Sequence, residues 1–151
     1  MTERKRAYRI ALWGGSLLGV LIFIFANSLT PASASGEESG AVFSFLHEIF
    51  SFLTHHAVRK LAHFCEYALL GAHLAFAPLL LPLRSRGTAL IPLLFGILIA
   101  FLDEGFQLFA SGRAAMLTDV FIDRVGYFFG LLLFILIFVV IKRKQTERKE
   151  G

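Results

Sequence analysis

Charge is scarce in this sequence. Only 17% of its 151 residues are Asp, Glu, Lys or Arg, while 56% are hydrophobic and 17 are phenylalanine. A soluble domain carries closer to about a quarter charged residues, so the deficit excludes an ordinary water-soluble fold and makes lipid the solvent. Cysteine is nearly absent. Cys65 stands alone, which excludes a disulfide framework and a thiolate metal cluster and leaves that residue to read as a buried small hydrophobe. The sequence also lacks HExxH, a Gly-rich phosphate loop and a nucleophile elbow, so zinc-protease and nucleophilic chemistry have no support. It has no repeat of fixed period and no low-complexity tract. The net charge of +4 is no sign of nucleic acid, because the cations sit in short runs beside apolar segments and no binding motif accompanies them.

What the chain does have is long apolar runs. A membrane-spanning helix takes roughly 20 residues, so four of them with short loops use nearly all of residues 1–151 and leave room for a single domain. The first run is Tyr8 to Ser28, with Arg4, Lys5, Arg6 and Arg9 before it and the breaker stretch Thr30 to Gly40 after it. Ala32-Ser33-Ala34 resembles a signal-peptidase site, but the apolar core from Ile10 to Ala26 exceeds the roughly 7 to 15 residues of a signal sequence, which favours a retained span. The other three spans are expected at about 57–81, 88–109 and 117–141. Between the first two, Ala41 to Leu53 has helical periodicity but is too short to cross, and reads as an interfacial or re-entrant helix or as a cap over the bundle. The histidines His47, His55 and His56 lie there without metal-ligand spacing. The expected fold is therefore an all-α integral membrane four-helix bundle with a short interfacial helix between spans one and two.

Orientation follows from the cations. With the N-terminus inside, Arg4, Lys5, Arg6, Arg9, Arg84, Arg86, Lys142, Arg143, Lys144, Arg148 and Lys149 are cytoplasmic, 11 of the 15, and the positive-inside rule gives N-in and C-in. The second span then starts outside, the third ends outside and the fourth starts outside. This brings Lys60, His63, Glu66, Asp103, Glu104, Gln107, Asp119 and Asp123 into one layer in the outer third of the bilayer. An isolated charge at a helix centre costs about 2.5 to 3.5 kcal/mol by insertion scales, so these groups should face one another. Helical spacing permits it: Lys60, His63 and Tyr67 share a face with Glu66 beside them, Asp103 and Glu104 each stand one turn from Gln107, and Asp119 and Asp123 are one turn apart. Gly126 and Gly130 form a GxxxG through which another helix can approach.

A polar network that only fixes helix register would need one or two pairs. The larger number here favours a site for a ligand, metal, proton or substrate. Mutual repulsion among the carboxylates favours bound protons, while Lys60, Arg113 and Arg124 oppose this. Asp103, Glu104, Asp119, Asp123, Glu66 and His63 also suit a divalent cation held mainly through oxygen. Glu104, Asp119 and His63 are the first candidates for acid-base chemistry.

Three stretches, Arg59-Lys60-Leu61-Ala62-His63-Phe64-Cys65-Glu66-Tyr67 with Gly71, then Asp103-Glu104-Gly105-Phe106-Gln107 with Arg113, then Asp119 followed by Gly126 and Gly130, resemble the signature of the VanZ-like family. The end of the first span, Ser28-Leu29-Thr30-Pro31, is similar to the family's usual start. The resemblance covers nearly the whole chain and implies a multi-pass protein of the bacterial plasma membrane, in a family named for a member that lowers susceptibility to the glycopeptide teicoplanin. Asp123 departs from the family pattern, which more often has Asn there, and the extra carboxylate calls for pairing with Arg124 or with a cation.

Together these readings anticipate an outward-facing site that binds or modifies a lipid or cell-envelope component. Membrane lipid or a lipid-linked envelope precursor is the expected partner, and nucleic acid is not. The rivals are a membrane-embedded enzyme using acid-base or metal-assisted chemistry on a lipid-linked substrate, a small proton-coupled transporter, and a structural partner of another envelope protein. Transport ranks lower because the inner halves of the spans are apolar apart from His73.

Overall fold

A helix in lipid satisfies its own backbone, and four apolar segments of this length have little other choice. The computed structural model describes residues 3–30, 44, 48, 50, 54–81, 86–111 and 117–150, and within them the secondary structure is entirely helical. The helices are α1 (Glu3–Leu29), α2 (His55–Ala75), the short α3 (Ala77–Leu80), α4 (Arg86–Gln107) and α5 (Leu117–Glu150). The expected helix over Ala41 to Leu53 lies outside the described residues, apart from isolated positions.

Three of these helices, α1, α4 and α5, have stretches long and apolar enough to cross a membrane. The fourth, α2, is 21 residues long, which at 1.5 Å per residue suits a bilayer core of about 30 Å. It is nevertheless too polar to qualify on composition, because Arg59, Lys60, His63, Glu66 and His73 lie along it. Packing resolves this conflict. One face of α2, comprising His63, Glu66, Tyr67, Leu70 and Leu74, is buried against α5, α1 and α4, so its polar groups meet protein and not lipid.

The expected second span, 57–81, is interrupted. Phe76 is a turn residue whose N–H donates to the carbonyl of His73 at 3.2 Å, and α3 follows. Pro78 explains the break, since it has no N–H to give the carbonyl one turn back. At the other end of α2, Thr54 caps the helix and its Oγ1 accepts the Ala57 N–H at 3.2 Å.

The seam between α2 and α5 is the closest in the bundle. A Cβ placed on Gly126 would run into the Phe64 carbonyl, one on Gly130 into the Ala68 carbonyl, and one on Gly71 into the Tyr127 carbonyl. The expected GxxxG is therefore a real contact surface, with a glycine on each partner. Lipid is as apolar as any side chain, so close packing of this kind does the work that the hydrophobic effect does in water. Beside the seam, Tyr127 reaches across to α4 and its hydroxyl donates to the Pro92 carbonyl at 2.5 Å. Its ring occupies the space that a side chain at Gly96 would need.

Away from these interfaces the surface is apolar. Phe121 and Leu132 on α5 are 67% and 61% exposed, and Leu94, Leu98 and Phe101 on α4 face outward likewise. Apolar outside and polar inside is the arrangement a bundle in lipid requires. Cys65 belongs to the outward set: it is exposed, contrary to the expectation of burial. It falls on the α2 face with Leu61 and Leu69, away from His63, Glu66 and Tyr67, and the lipid-facing side accepts a small apolar thiol as readily as a core does.

Candidate functional site

Four helix ends meet in one polar layer. From α2, residues 59, 60, 63, 66 and 67 share a face by the i, i+3, i+4 and i+7 rule. The last turns of α4 supply Asp103, Glu104 and Gln107, the first turns of α5 supply Asp119 and Asp123, and the end of α1 supplies Asn27 and Ser28. Asp103, Asp123 and Gln107 are completely buried, and His63, Glu66, Glu104 and Asp119 are buried as well.

Asp103 is held from two helices. Ser28 Oγ donates to its Oδ1 in a short hydrogen bond, and Gln107 Nε2 donates to Oδ2 at 3.5 Å from one turn along α4. Gln107 is itself fixed by Arg59, whose Nη2 donates to Oε1 at 3.2 Å. Asn27 Nδ2 donates to Glu66 Oε1 at 2.6 Å, so α1 contributes a donor to each of two carboxylates on different helices. Lys60 Nζ pairs with Asp119 Oδ1 at 3.2 Å, and Thr118 Oγ1 donates to the same oxygen at 3.3 Å. The Tyr67 hydroxyl donates to the Ile99 carbonyl at 3.4 Å, which ties α2 to α4 just below the layer.

His63 lies between two aspartates. Its Nδ1 is 3.6 Å from Asp123 Oδ1 and 3.9 Å from Asp103 Oδ2, too long for good hydrogen bonds but close enough for strong electrostatic contact in a low dielectric. Neither oxygen of Asp123 accepts a hydrogen bond among the described residues. Asp103, Glu104, Asp119 and Glu66 all act on its charge through space. The anticipated partner, Arg124, takes a different position: its guanidinium stands over the Phe101 ring, 4.7 Å from the centroid. Among the described residues no Arg124–Asp123 ion pair forms. His63, Asp103 and Asp123 each offer one ligand atom, all within 4.8 Å of one another, and this is the group able to hold a metal ion.

Beside this centre a narrow crevice of about 10 Å³, room for about one water, is lined by Arg59, Lys60, His63, Asp119 and Ile122.

The structure thus brings together the expected Lys60, His63, Glu66, Tyr67, Asp103, Glu104, Gln107, Asp119 and Asp123 at one end of the bundle. It divides them into an inner group of His63 with Asp103 and Asp123 and a peripheral Lys60–Asp119 pair. Arg113 lies outside the described residues. Sequence reasoning missed Asn27, Ser28 and Arg59 as members of the layer. A signal for the first two existed, since they are the only polar residues between Leu17 and Leu29.

At the opposite end the polar contacts are few and local. Trp13 Nε1 donates to the His73 carbonyl at 3.1 Å, the two rings stack with centroids 5.7 Å apart, and Ser16 Oγ lies 3.2 Å from His73 Nε2. His73 is accounted for as a clasp between α1 and α2. Between it and the polar layer lie Leu70, Ile99, Tyr127 and other buried apolar residues.

The family described as VanZ/LLP1 matches residues 14–139 of this chain. No curated protein and no solved structure matches it.

Proposed function

The chain belongs to the VanZ/LLP1 family, and from that premise we propose that it is a multi-pass protein of the bacterial plasma membrane, both termini cytoplasmic, whose polar layer opens to the outer face and binds the anionic headgroup of a membrane lipid or lipid-linked envelope component. The observation that carries this reading is the crevice beside the buried carboxylates, where Arg59 and Lys60 stand at the helix ends within reach of the interface. Arg59 is held by Gln107 at 3.2 Å and Lys60 by Asp119 at 3.2 Å, partners a phosphate can replace. A phosphate that does so at the crevice takes charge-assisted bonds from both cations, and Asp119 is released to act on the bound group. The cytoplasmic placement of the termini rests on the basic runs at both ends and at Arg84 and Arg86. Because α1 contributes Asn27 and Ser28, the site needs the first span retained.

A second reading, acid-base chemistry on a lipid-linked substrate, is favoured by one further fact. His63 stands between two carboxylates that can orient its ring and stabilise its charged form, the arrangement a general base requires. Transport draws no support, because the apolar layer around Tyr127 and Leu70 separates the polar layer from His73.

The test is a profile of lipids, cell-wall precursors and teicoplanin susceptibility in cells with and without the chain, with Glu104→Gln and Asp119→Asn as comparison variants. A changed profile, abolished by both variants at unchanged membrane abundance, is expected. An unchanged profile overturns the envelope reading, and loss of abundance in step with loss of effect assigns the layer to architecture alone.

A further inference from the structure

Asp123 is the residue the bundle explains least. Its side chain is completely buried, and neither oxygen accepts a hydrogen bond among the described residues. An ionised carboxylate in that condition is strongly unfavourable unless charge or hydrogen bonds compensate it. The neighbouring cations are placed elsewhere: Lys60 on Asp119, Arg59 on Gln107 and Arg124 over Phe101. Asp103, Glu104, Asp119 and Glu66 add negative charge around it.

Three helices nonetheless aim ligand atoms at one point. His63 from α2, Asp103 from α4 and Asp123 from α5 each offer one ligand atom within 4.8 Å of the others, and His63 Nδ1 is 3.6 Å from Asp123 Oδ1 and 3.9 Å from Asp103 Oδ2. We infer that these three side chains hold a divalent transition-metal cation. Ligand bonds of about 2.0 to 2.2 Å place ligand atoms roughly 3 to 3.6 Å apart, so the two histidine-to-carboxylate separations need close by only a few tenths of an ångström, and the two carboxylates, at most 4.8 Å apart, by more. One imidazole nitrogen with two carboxylate oxygens suits Mn²⁺ or Zn²⁺. Ca²⁺ and Mg²⁺ prefer oxygen alone, and Ca²⁺ more ligands than this centre offers.

The surroundings have the second layer such a site requires. Ser28 holds the oxygen of Asp103 that faces away from His63, and Gln107, itself fixed by Arg59, steadies the one that faces it. The ion neutralises Asp123 and joins α2, α4 and α5 at their polar ends. The inference is separable from headgroup binding by experiment, although His63 lines the crevice and Arg59 fixes Gln107.

The experiment uses the full chain in nanodiscs of a single zwitterionic lipid, stripped with chelator and then given MnCl₂, ZnCl₂, MgCl₂ or CaCl₂ separately. Bound metal and thermal unfolding are both measured. The wild type is expected to retain a single Mn²⁺ or Zn²⁺ per chain and to gain about 5 °C in Tm at about a hundredfold excess of ion over Kd, while MgCl₂ and CaCl₂ leave it unmoved. Asp123→Asn is expected to lose both responses, with a metal-free Tm no lower than that of the wild type because a buried charge has gone. Asp119→Asn is expected to keep both. If Asp123→Asn accumulates poorly, His63→Gln carries the same comparison. A wild type that retains no transition metal, or an Asp123→Asn chain that retains as much as the wild type, overturns the proposal. Because no anionic lipid is present, failure here leaves the headgroup reading standing, and failure of the cellular profile leaves the metal result standing.

Discussion

The two ends of this bundle are built from the same helices and obey different rules. At the polar end, eight polar or charged side chains from four helices are buried together among the described residues, and most of their contacts run between helices. At the other end a single clasp, Trp13 with Ser16 and His73, links α1 to α2. The difference shows that register here does not require a buried polar network, because among the described residues the other end manages with glycine packing, this clasp and the Arg6 bond to the Leu80 carbonyl at 3.4 Å. The surplus polarity at the polar end is what the proposed binding site would account for.

The comparison breaks most completely at the element both ends share. Gly130 sits in the α2–α5 seam where a Cβ would meet the Ala68 carbonyl, and backbone cannot move aside as a side chain can. Gly130→Val is expected to cost about 3 kcal/mol or more and to abolish the monodisperse peak in fluorescence-detected size-exclusion chromatography. A folded chain would mean that the seam is looser than described.

A smaller effect is expected at the polar end alone. Ser28→Ala removes the hydroxyl that holds Asp103, and a lost hydrogen bond to a buried charged group is worth about 1.5 to 3 kcal/mol. The variant should assemble but melt earlier in detergent, and it should bind Mn²⁺ or Zn²⁺ more weakly because Asp103 is no longer oriented. The smallest effect belongs to the far end. Trp13→Phe keeps the stacking on His73 but loses the donor to its carbonyl, a change of about 0.6 kcal/mol by the average for such bonds in membranes, with metal binding untouched. A Trp13→Phe chain that melted as early as Ser28→Ala would erase the distinction between the two ends.

Much of this arrangement was legible in the sequence, and the reasons are specific. Spacing along single helices is reliable, so the shared faces of His63, Glu66 and Tyr67, of Asp103, Glu104 and Gln107, and of Asp119 and Asp123 could be read directly. Each set is buried as anticipated. Helix-to-helix partnering was not legible in the same way. Asn27 and Ser28 ended an apolar run and read as its boundary, and only tertiary packing turns them toward Glu66 and Asp103. Arg124 was expected beside Asp123 because the two are adjacent, yet neighbours in sequence on a helix point about 100° apart, and Arg124 faces Phe101. Cys65 was misplaced for the opposite reason: in lipid, apolar character no longer tells inside from outside, so its burial could not be deduced from its type. The break at Phe76 was foreshadowed by Pro78, which marked the end of a span but not the short helix that follows.

The polarity of α2 also bears on how the protein is made. A segment with Arg59, Lys60 and Glu66 partitions poorly from the translocon into lipid as an isolated helix, and its partners α4 and α5 do not yet exist when it emerges from the ribosome. Its stable integration is therefore expected to depend on the partners α4 and α5, which are synthesised after it.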